Sequence, residues 1–115
     1  MRKLLISMKV AITLAGSSLE SAVDERFGRA AYLAVVDTAT KRENVMENRH
    51  AEGRSAGVKS AKEIVDMGAE VLISGDVGPN ALQVLHASGI RVYRTTSNTA
   101  GDAIDALLAD RLEEI

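Results

Sequence analysis

The side chains that could do chemistry in this chain are a few arginines, serines and one loop histidine, most of them near glycine. Loop arginines and the unpaired backbone N–H groups at helix starts both attract negative charge, so these residue types indicate anion binding. A loop histidine adds a candidate metal ligand or hydrogen-bond donor. The candidate residues are Gly16, Ser17, Ser18, Arg26, Arg29, His50, Arg54, Ser55, Gly78, Pro79 and Asn80.

Enzymatic motifs are missing from the sequence. It has neither the GxGxxG nor the GxxxxGK[ST] pattern of nucleotide-binding loops. The first apolar run, MKVAITL, has no carboxylate for a two-metal nuclease site. Ser17 and Ser18 lack a nucleophile elbow, and His50 and His86 stand in no triad arrangement. We therefore expect a protein that is not an enzyme.

The composition indicates one ordinary globular domain. The chain has 115 residues, of which 46% are hydrophobic and 26% charged, and we expect a single domain over residues 1–115 with its core at about 8–112. The chain has no Cys, which excludes disulfides, a Cys-ligated zinc site and clusters held by its own thiolates. The 14 Lys and Arg are balanced by 16 Asp and Glu, which argues against general nucleic-acid binding.

The N-terminus resembles the start of a secretory signal in residues 2–6, RKLLI. Lys9 interrupts the apolar run, so a buried strand is the preferred interpretation. Met8 is an alternative start, which would make residues 1–7 a dispensable lead. No apolar run approaches the ~20 residues of a transmembrane helix. We expect a cytoplasmic protein without a membrane partner.

Hydrophobic periodicity predicts five strands and three helices. Ser55 is a predicted helix N-cap, Gly68 a helix stop, and Pro79 fits the first helical position. Thr99 followed by Asp102 resembles a capping box. The predicted strands cover residues 8–14, 32–37, 43–49, 70–74 and 90–94, and the helices cover 55–68, 79–89 and residues from 99 onwards.

The predicted fold is α/β, a ribonuclease H-like mixed sheet of five strands in the order 3-2-1-4-5 with three helices. Ligands of open α/β sheets lie outside the carboxyl ends of the strands where the strand order reverses, here between strands one and four. We expect a crevice there, with residues 16–18 on one side and residues 75–80 on the other. The loops 15–26, 50–57, 75–80 and 95–99 would share this edge with residues 27–30.

Each candidate also has a structural interpretation that needs no ligand. Residues 78–80 suit a tight strand-to-helix turn, and the arginines suit solvated surface or salt bridges. His50 could face water, and His86 fits a helix C-terminus, where the helix dipole favours a cation. Met46 and Met67 fit core or edge packing better than metal binding. The residues alone leave these alternatives open.

Several ordered segments resemble the dinitrogenase iron–molybdenum cofactor biosynthesis family. They are MKVAITLAG from residue 8, RFGRA at 26–30, AGVKSAKEIVDMGAEVLISGDVGPNAL at 56–82 and GIRVY at 89–93. The resemblance covers about residues 8–110, and its most specific elements are FGRA and GPNA.

That family includes nitrogenase accessory proteins that carry iron–molybdenum cofactor or its iron–sulfur precursor, and the orange protein, which holds a molybdenum–copper sulfide cluster. The resemblance implies a ribonuclease H-like fold without nuclease activity. It assigns to the site Phe27, Gly28, Arg29 and Ala30 from one motif, and Gly78, Pro79, Asn80 and Ala81 from the other. Phe27 and Ala30 are expected to pack beneath the site. Arg29 and the backbone of Gly78 and Asn80 are the expected contacts.

The leading hypothesis is a non-enzymatic protein that binds, carries or stores a molybdenum-containing sulfide cluster, held non-covalently. Its partners would be the cluster and the proteins that donate or accept it, with His50 as a candidate metal ligand. A monomer is expected, because the charged third strand disfavours edge-to-edge pairing. The alternative is a metal-free regulatory or scaffolding domain that binds a protein partner or a small anion. A third hypothesis is a phosphotransfer or hydrolytic enzyme that uses His50.

Overall fold

A computed structural model describes residues 8–95 and 98–115 of the chain. The predicted lead before Met8, and Thr96 and Ser97 of the predicted loop 95–99, lie outside the described residues. In chain order the elements are β1 (Lys9–Leu14), β2 (Tyr32–Asp37), β3 (Glu43–Glu47), α1 (Ala56–Asp66), β4 (Val71–Ser74), α2 (Pro79–Ala87), β5 (Arg91–Arg94), α3 (Ala100–Leu108) and β6 (Glu113–Glu114).

The strands form one mixed sheet in the order β3-β2-β1-β4-β5-β6. β2 pairs antiparallel with both β1 and β3, whereas β4 pairs parallel with both β1 and β5. The predicted order 3-2-1-4-5 is confirmed for the first five strands, and the described residues add a sixth. The ribonuclease H-like relationship stays a prediction.

The two faces of the sheet carry separate hydrophobic cores, because successive strand residues point to opposite sides. On one face, Ala11 and Leu72 pack in a cluster with residues of α1 and α2. On the other face, Ile12 and Ile73 pack in a cluster with residues of α3. All three helices begin at the edge where β1, β4 and β5 end. None of the helices in the described residues is long and apolar enough to cross a membrane.

The central strands are the most apolar because helices cover both of their faces. All of β4 is buried, and in β1 only Lys9 is exposed. At the sheet edge, β3 ends at Glu47 rather than at Arg49 as predicted, since the chain turns at Asn48 with an Ala51 N–H to Asn48 carbonyl bond of 3.3 Å. The continuous apolar runs in the sequence thus correspond to the central strands of the sheet.

The sixth strand covers the outer edge of β5 with two acidic residues. Tyr93 pairs with Glu114, and Arg94 pairs with Glu113, both antiparallel. The Arg91 guanidinium donates to both carboxylate oxygens of Glu114, at 2.9 and 3.1 Å. Arg94 donates to Glu113 at 3.2 Å. Two adjacent glutamates show no apolar alternation, so the sequence does not predict a strand here, and β5 supplies the arginines that pair with both carboxylates.

Ion pairing and burial shift two pKa values at this edge. The hydrogen bond from the Arg91 guanidinium holds the pKa of Glu114 below its ordinary value. Burial raises the pKa of the Tyr93 hydroxyl above its ordinary value. His86, in the last turn of α2, lies with Nε2 3.1 Å from the main-chain oxygen of Ile115.

We expect Glu114→Gln to lower the melting temperature at pH 7, and this difference from the wild type to shrink as the pH falls. A carboxyl whose pKa is lowered in the folded state stabilises that state above the unfolded pKa, and this stabilisation is lost as the pH falls through the folded pKa. Thermal unfolding from pH 3 to 7 tests this. Glu43→Gln, on the exposed edge strand β3, is the control. Equal pH profiles for the two variants would contradict the role of Glu114.

Candidate anion-binding site

At the carboxyl edge of the sheet, residues 22–27 cross the ends of β1 and β4. The Asp24 N–H donates to the Thr13 carbonyl at 3.0 Å, and the Gly75 N–H donates to the Asp24 carbonyl at 3.0 Å. Beneath this crossing, the hydroxyls of Thr13 and Ser74 share a buried hydrogen bond of 2.8 Å. The crossing segment is therefore hydrogen bonded to both central strands.

This segment closes the crevice that the sequence predicts between β1 and β4. A Cβ on Gly75 would overlap the backbone of Glu25, so only glycine allows the approach. The expectation of a surface loop over residues 15–26 is wrong for Val23 and Asp24, which are 4% and 9% exposed. Their burial follows from the hydrogen bonds that fix the segment to the strand ends.

The N-terminus of α3 is fully hydrogen bonded. The N–H groups of Ala100 and Gly101 donate to carbonyls of Ser21 and Leu19 at 3.0 and 3.1 Å. The next N–H in the helix donates to the Thr99 hydroxyl at 3.2 Å, as the predicted cap requires. Because the protein itself uses these donors, none of them is free for a ligand.

Ser17 and Ser18 belong to the exposed loop that lies beside α3. The Ser18 hydroxyl accepts the Glu20 N–H at 3.2 Å. Residues 78–80 begin α2, which packs on the opposite face of the sheet. The structure therefore does not place the two serines and residues 78–80 on two sides of one crevice.

The N-termini of α1 and α2 lie side by side. A Cβ on Gly57, in the first turn of α1, would lie 3.2 Å from the Ala81 Cβ in the first turn of α2. Within the described residues, the N–H groups of 56–58 and of 80–81 have no hydrogen-bond partner. The positive ends of two helix dipoles thus meet at one place with free donors.

Neither of these two helices has a side-chain cap. Ser55 occupies the N-cap position of α1, but its backbone is left-handed, with φ 55° and ψ 38°, and its side chain makes no cap hydrogen bond. The predicted capping by Ser55 is wrong, because a capping side chain needs an extended backbone at that position. At the N-cap of α2, a Cβ on Gly78 would meet nothing within 4 Å. Both helix starts therefore stay open.

The FGRA motif forms a tight turn against α1. Phe27 and Ala30 are 1% and 0% exposed, so both side chains pack in the protein interior. A Cβ on Gly28 would overlap the backbone of Gly57, so glycine is required at this approach. The turn thereby abuts the first turn of α1.

The buried amide of Asn48 joins this turn to α1 and to the following loop. Its Nδ2 donates to the carbonyls of Gly28 and Ala30, both at 2.9 Å. Its Oδ1 accepts from the His50 N–H at 3.1 Å and from the Ser60 hydroxyl at 3.2 Å. The sequence did not single out Asn48, since its only local signal is a polar residue near the end of an edge strand.

The carboxylate of Asp24 holds the same turn from the other side. Its Oδ1 accepts the Arg26 N–H at 3.0 Å, and its Oδ2 accepts the Ala31 N–H at 3.3 Å. Every buried side-chain nitrogen and oxygen in the described residues has a hydrogen-bond partner. The turn is therefore held by two fully satisfied polar groups, Asp24 and Asn48.

Three arginines surround the turn, and each is held differently. The Arg26 side chain is 67% exposed, with its Nε 3.9 Å from Asp24 Oδ1. Arg29 donates from Nη1 to the carbonyl of Ala51 at 2.7 Å. Arg54 is exposed and forms no ion pair with any described residue. Of these three guanidinium groups, only that of Arg54 thus has no partner in the described residues.

His50 lies against α1. Its Nε2 is 2.9 Å from Glu63 Oε1, and Arg49 Nη2 is 3.1 Å from the other oxygen of the same carboxylate. In the part of the chain that the structure describes, no three His, Asp or Glu side chains come together as a metal site. The metal-ligand role of His50 stays a prediction.

A family model described as dinitrogenase iron-molybdenum cofactor matches residues 8–110 of the chain. The chain belongs to this family. The family resemblance inferred from the ordered segments is therefore confirmed. The match includes α1, α2 and the FGRA turn, so every element that forms the site is part of the family domain.

Solved structures and a curated relative are similar over nearly the whole chain. The apo form of the orange protein from Desulfovibrio gigas has a TM-score of 0.89 and 34% identity, covering 96% of this chain and 94% of that chain. A NifB-like protein from Thermotoga has a TM-score of 0.82 and 41% identity, covering 93% and 92%. An uncharacterized protein of Methanocaldococcus jannaschii is 28% identical over 111 residues, 93% of this chain and 91% of its own.

We expect Asn48→Ala to lower the free energy of unfolding by about 2–4 kcal/mol, because the Gly28 and Ala30 carbonyls would be left without their donor. Asn44→Ala, at an exposed position of β3, should change it by less than ~0.5 kcal/mol. Urea unfolding of the two variants measures both values. Similar losses in both would show that Asn48 does not hold the site together.

Proposed function

We propose that this family member is a cytoplasmic, non-enzymatic carrier of a molybdenum-containing metal–sulfide cluster, of the iron–molybdenum or molybdenum–copper type. The single observation that carries the proposal is the pair of adjacent helix starts with free N–H groups, surrounded by Arg26, Arg29 and Arg54. Family membership and the likeness to the orange protein support the choice of cargo.

The donor set suits an anionic cluster whose metals are already ligated by sulfide. Backbone N–H groups and guanidinium groups hydrogen bond to anionic sulfur and neutralise its charge, and neither forms a bond to metal. The chain has no Cys, so its own thiolates play no part in this binding. The residues present therefore fit a cargo held by charge and hydrogen bonds.

Binding of this kind favours transfer. A cluster without protein–metal bonds leaves when a partner offers stronger ligands, because only hydrogen bonds and ionic contacts to the carrier have to break. The N-termini of α1 and α2 and the exposed Arg54 lie at the surface, where a donor or acceptor protein has access. We propose a monomeric carrier that exchanges cargo with such proteins.

The test is reconstitution of the purified protein under anaerobic conditions. Tetrathiomolybdate with copper, and separately an iron–molybdenum cofactor precursor, are added before gel filtration. We expect a coloured, stoichiometric complex with one of them, together with co-eluting molybdenum and sulfide. Colourless protein in both cases would overturn cluster carriage. Binding of inorganic phosphate alone would favour the metal-free, anion-binding alternative.

We expect Arg54→Gln to weaken the affinity for this cluster by about three- to tenfold, since one exposed guanidinium contact to the anion is lost. Arg42→Gln removes the same charge at the β2–β3 turn, at the opposite end of the sheet, and should leave the affinity unchanged. Spectroscopic titration of both variants measures the two affinities. Equal affinities would remove Arg54 from the site.

A further inference from the structure

Among the described residues, one side chain from outside the stretch hydrogen bonds to residues 51–54 beside the site. Residues 51–54 lie between the segment hydrogen bonded by the Asn48 amide and Ser55, the N-cap of α1. Their backbone makes only local bonds of its own, such as the Gly53 N–H to the His50 carbonyl at 3.1 Å. In the described structure, Arg29 supplies the hydrogen bonds that reach this stretch from outside residues 48–55.

The Arg29 guanidinium hydrogen bonds to two carbonyls of this stretch. Its Nη1 donates to the carbonyl of Ala51 at 2.7 Å and to the carbonyl of Gly53 at 3.4 Å. The same residue follows Gly28, whose backbone is locked against Gly57 in the first turn of α1. Arg29 therefore links the FGRA turn, which is packed against α1, to the loop at residues 51–54.

The stretch carries two groups that the proposed site needs. Arg54 is an exposed cation that forms no ion pair with a described residue, and Ser55 begins α1 in a left-handed conformation without a side-chain cap. Glu52 and Gly53 are exposed as well. Because no other side chain among the described residues hydrogen bonds to the stretch, Arg29 is the side chain that restrains it and, with it, Arg54.

We infer that Arg29 is a positioning residue rather than a direct contact to the anion. Its guanidinium restrains residues 51–54 through two hydrogen bonds, which we call the fastening of this loop, and so keeps Arg54 beside the N-termini of α1 and α2. This inference rests on the proposed function for the role of Arg54. The two hydrogen bonds from Arg29 are present without a bound anion, so the fastening can be tested separately from the cargo.

Limited digestion with trypsin tests the fastening, because Arg54 is itself a cleavage site. In Arg29→Gln, without any anion, we expect cleavage after Arg54 to be about tenfold faster, since two charge-assisted hydrogen bonds to the stretch are lost. Cleavage after Lys41 and Arg42, at the far end of the sheet, should not change. Cleavage after Lys41 and Arg42 therefore serves as an internal control that distinguishes local opening of residues 51–54 from unfolding of the whole protein.

Arg26→Gln is the matched control, because it removes one positive charge from the same turn without a hydrogen bond to residues 51–54. Its cleavage after Arg54 should stay at the wild-type rate. Equal rates for Arg29→Gln and Arg26→Gln would overturn the fastening, and so would faster cleavage at every site in Arg29→Gln.

Arg29→Lys separates positioning from charge. It keeps the positive charge, but its side chain is one atom shorter than the path to the Arg29 Nη1 that donates to both carbonyls. We therefore expect faster cleavage after Arg54 and a weaker affinity for tetrathiomolybdate with copper. Unchanged affinity and unchanged cleavage would show that only the charge of Arg29 matters. If the wild type binds no cluster but the cleavage results hold, the fastening stands and the proposed cargo fails.

Discussion

The site depends on one buried amide. Asn48 uses both donor hydrogens and both acceptor positions to join the FGRA turn, the loop after β3 and α1. Hydrogen bonds are stronger in the low dielectric of a protein interior, and an incomplete set there is costly, so a fully satisfied amide fixes its neighbours in one arrangement. The approach of Gly28 to α1, and the placement of Arg29 that follows from it, both require that arrangement.

The hydrogen bonding of the helix N-termini distinguishes the helices whose first N–H groups are available to a ligand from the one whose donors are used by the protein. All three helices start at the same edge of the sheet, but the protein satisfies only one of them. The loop after β1 and Thr99 take the donors of α3, whereas in the described residues the first N–H groups of α1 and α2 have no hydrogen-bond partner. An anion bound beside both helix starts would interact with the positive ends of two dipoles at once.

Local patterns predicted the sheet and the helix starts well. The order of five strands followed from apolar runs and crossover rules, and Pro79 and Thr99 marked the starts of α2 and α3. The path of residues 22–27, the acidic strand β6 and the role of Asn48 depend on hydrogen bonds between distant segments. Such bonds leave no periodic signal in the sequence. The side-chain cap at Ser55 failed because the backbone there is left-handed.

The contact between Gly28 and Gly57 has a consequence for how this domain changes over evolution. A side chain at Gly28 would meet the backbone at Gly57, and a side chain at Gly57 would crowd Ala81. A side chain at Gly28 requires the start of α1 to move, whereas one at Gly57 requires a shift of only a few tenths of an ångström. We therefore expect Gly28 to be kept more strictly than Gly57 as the domain evolves.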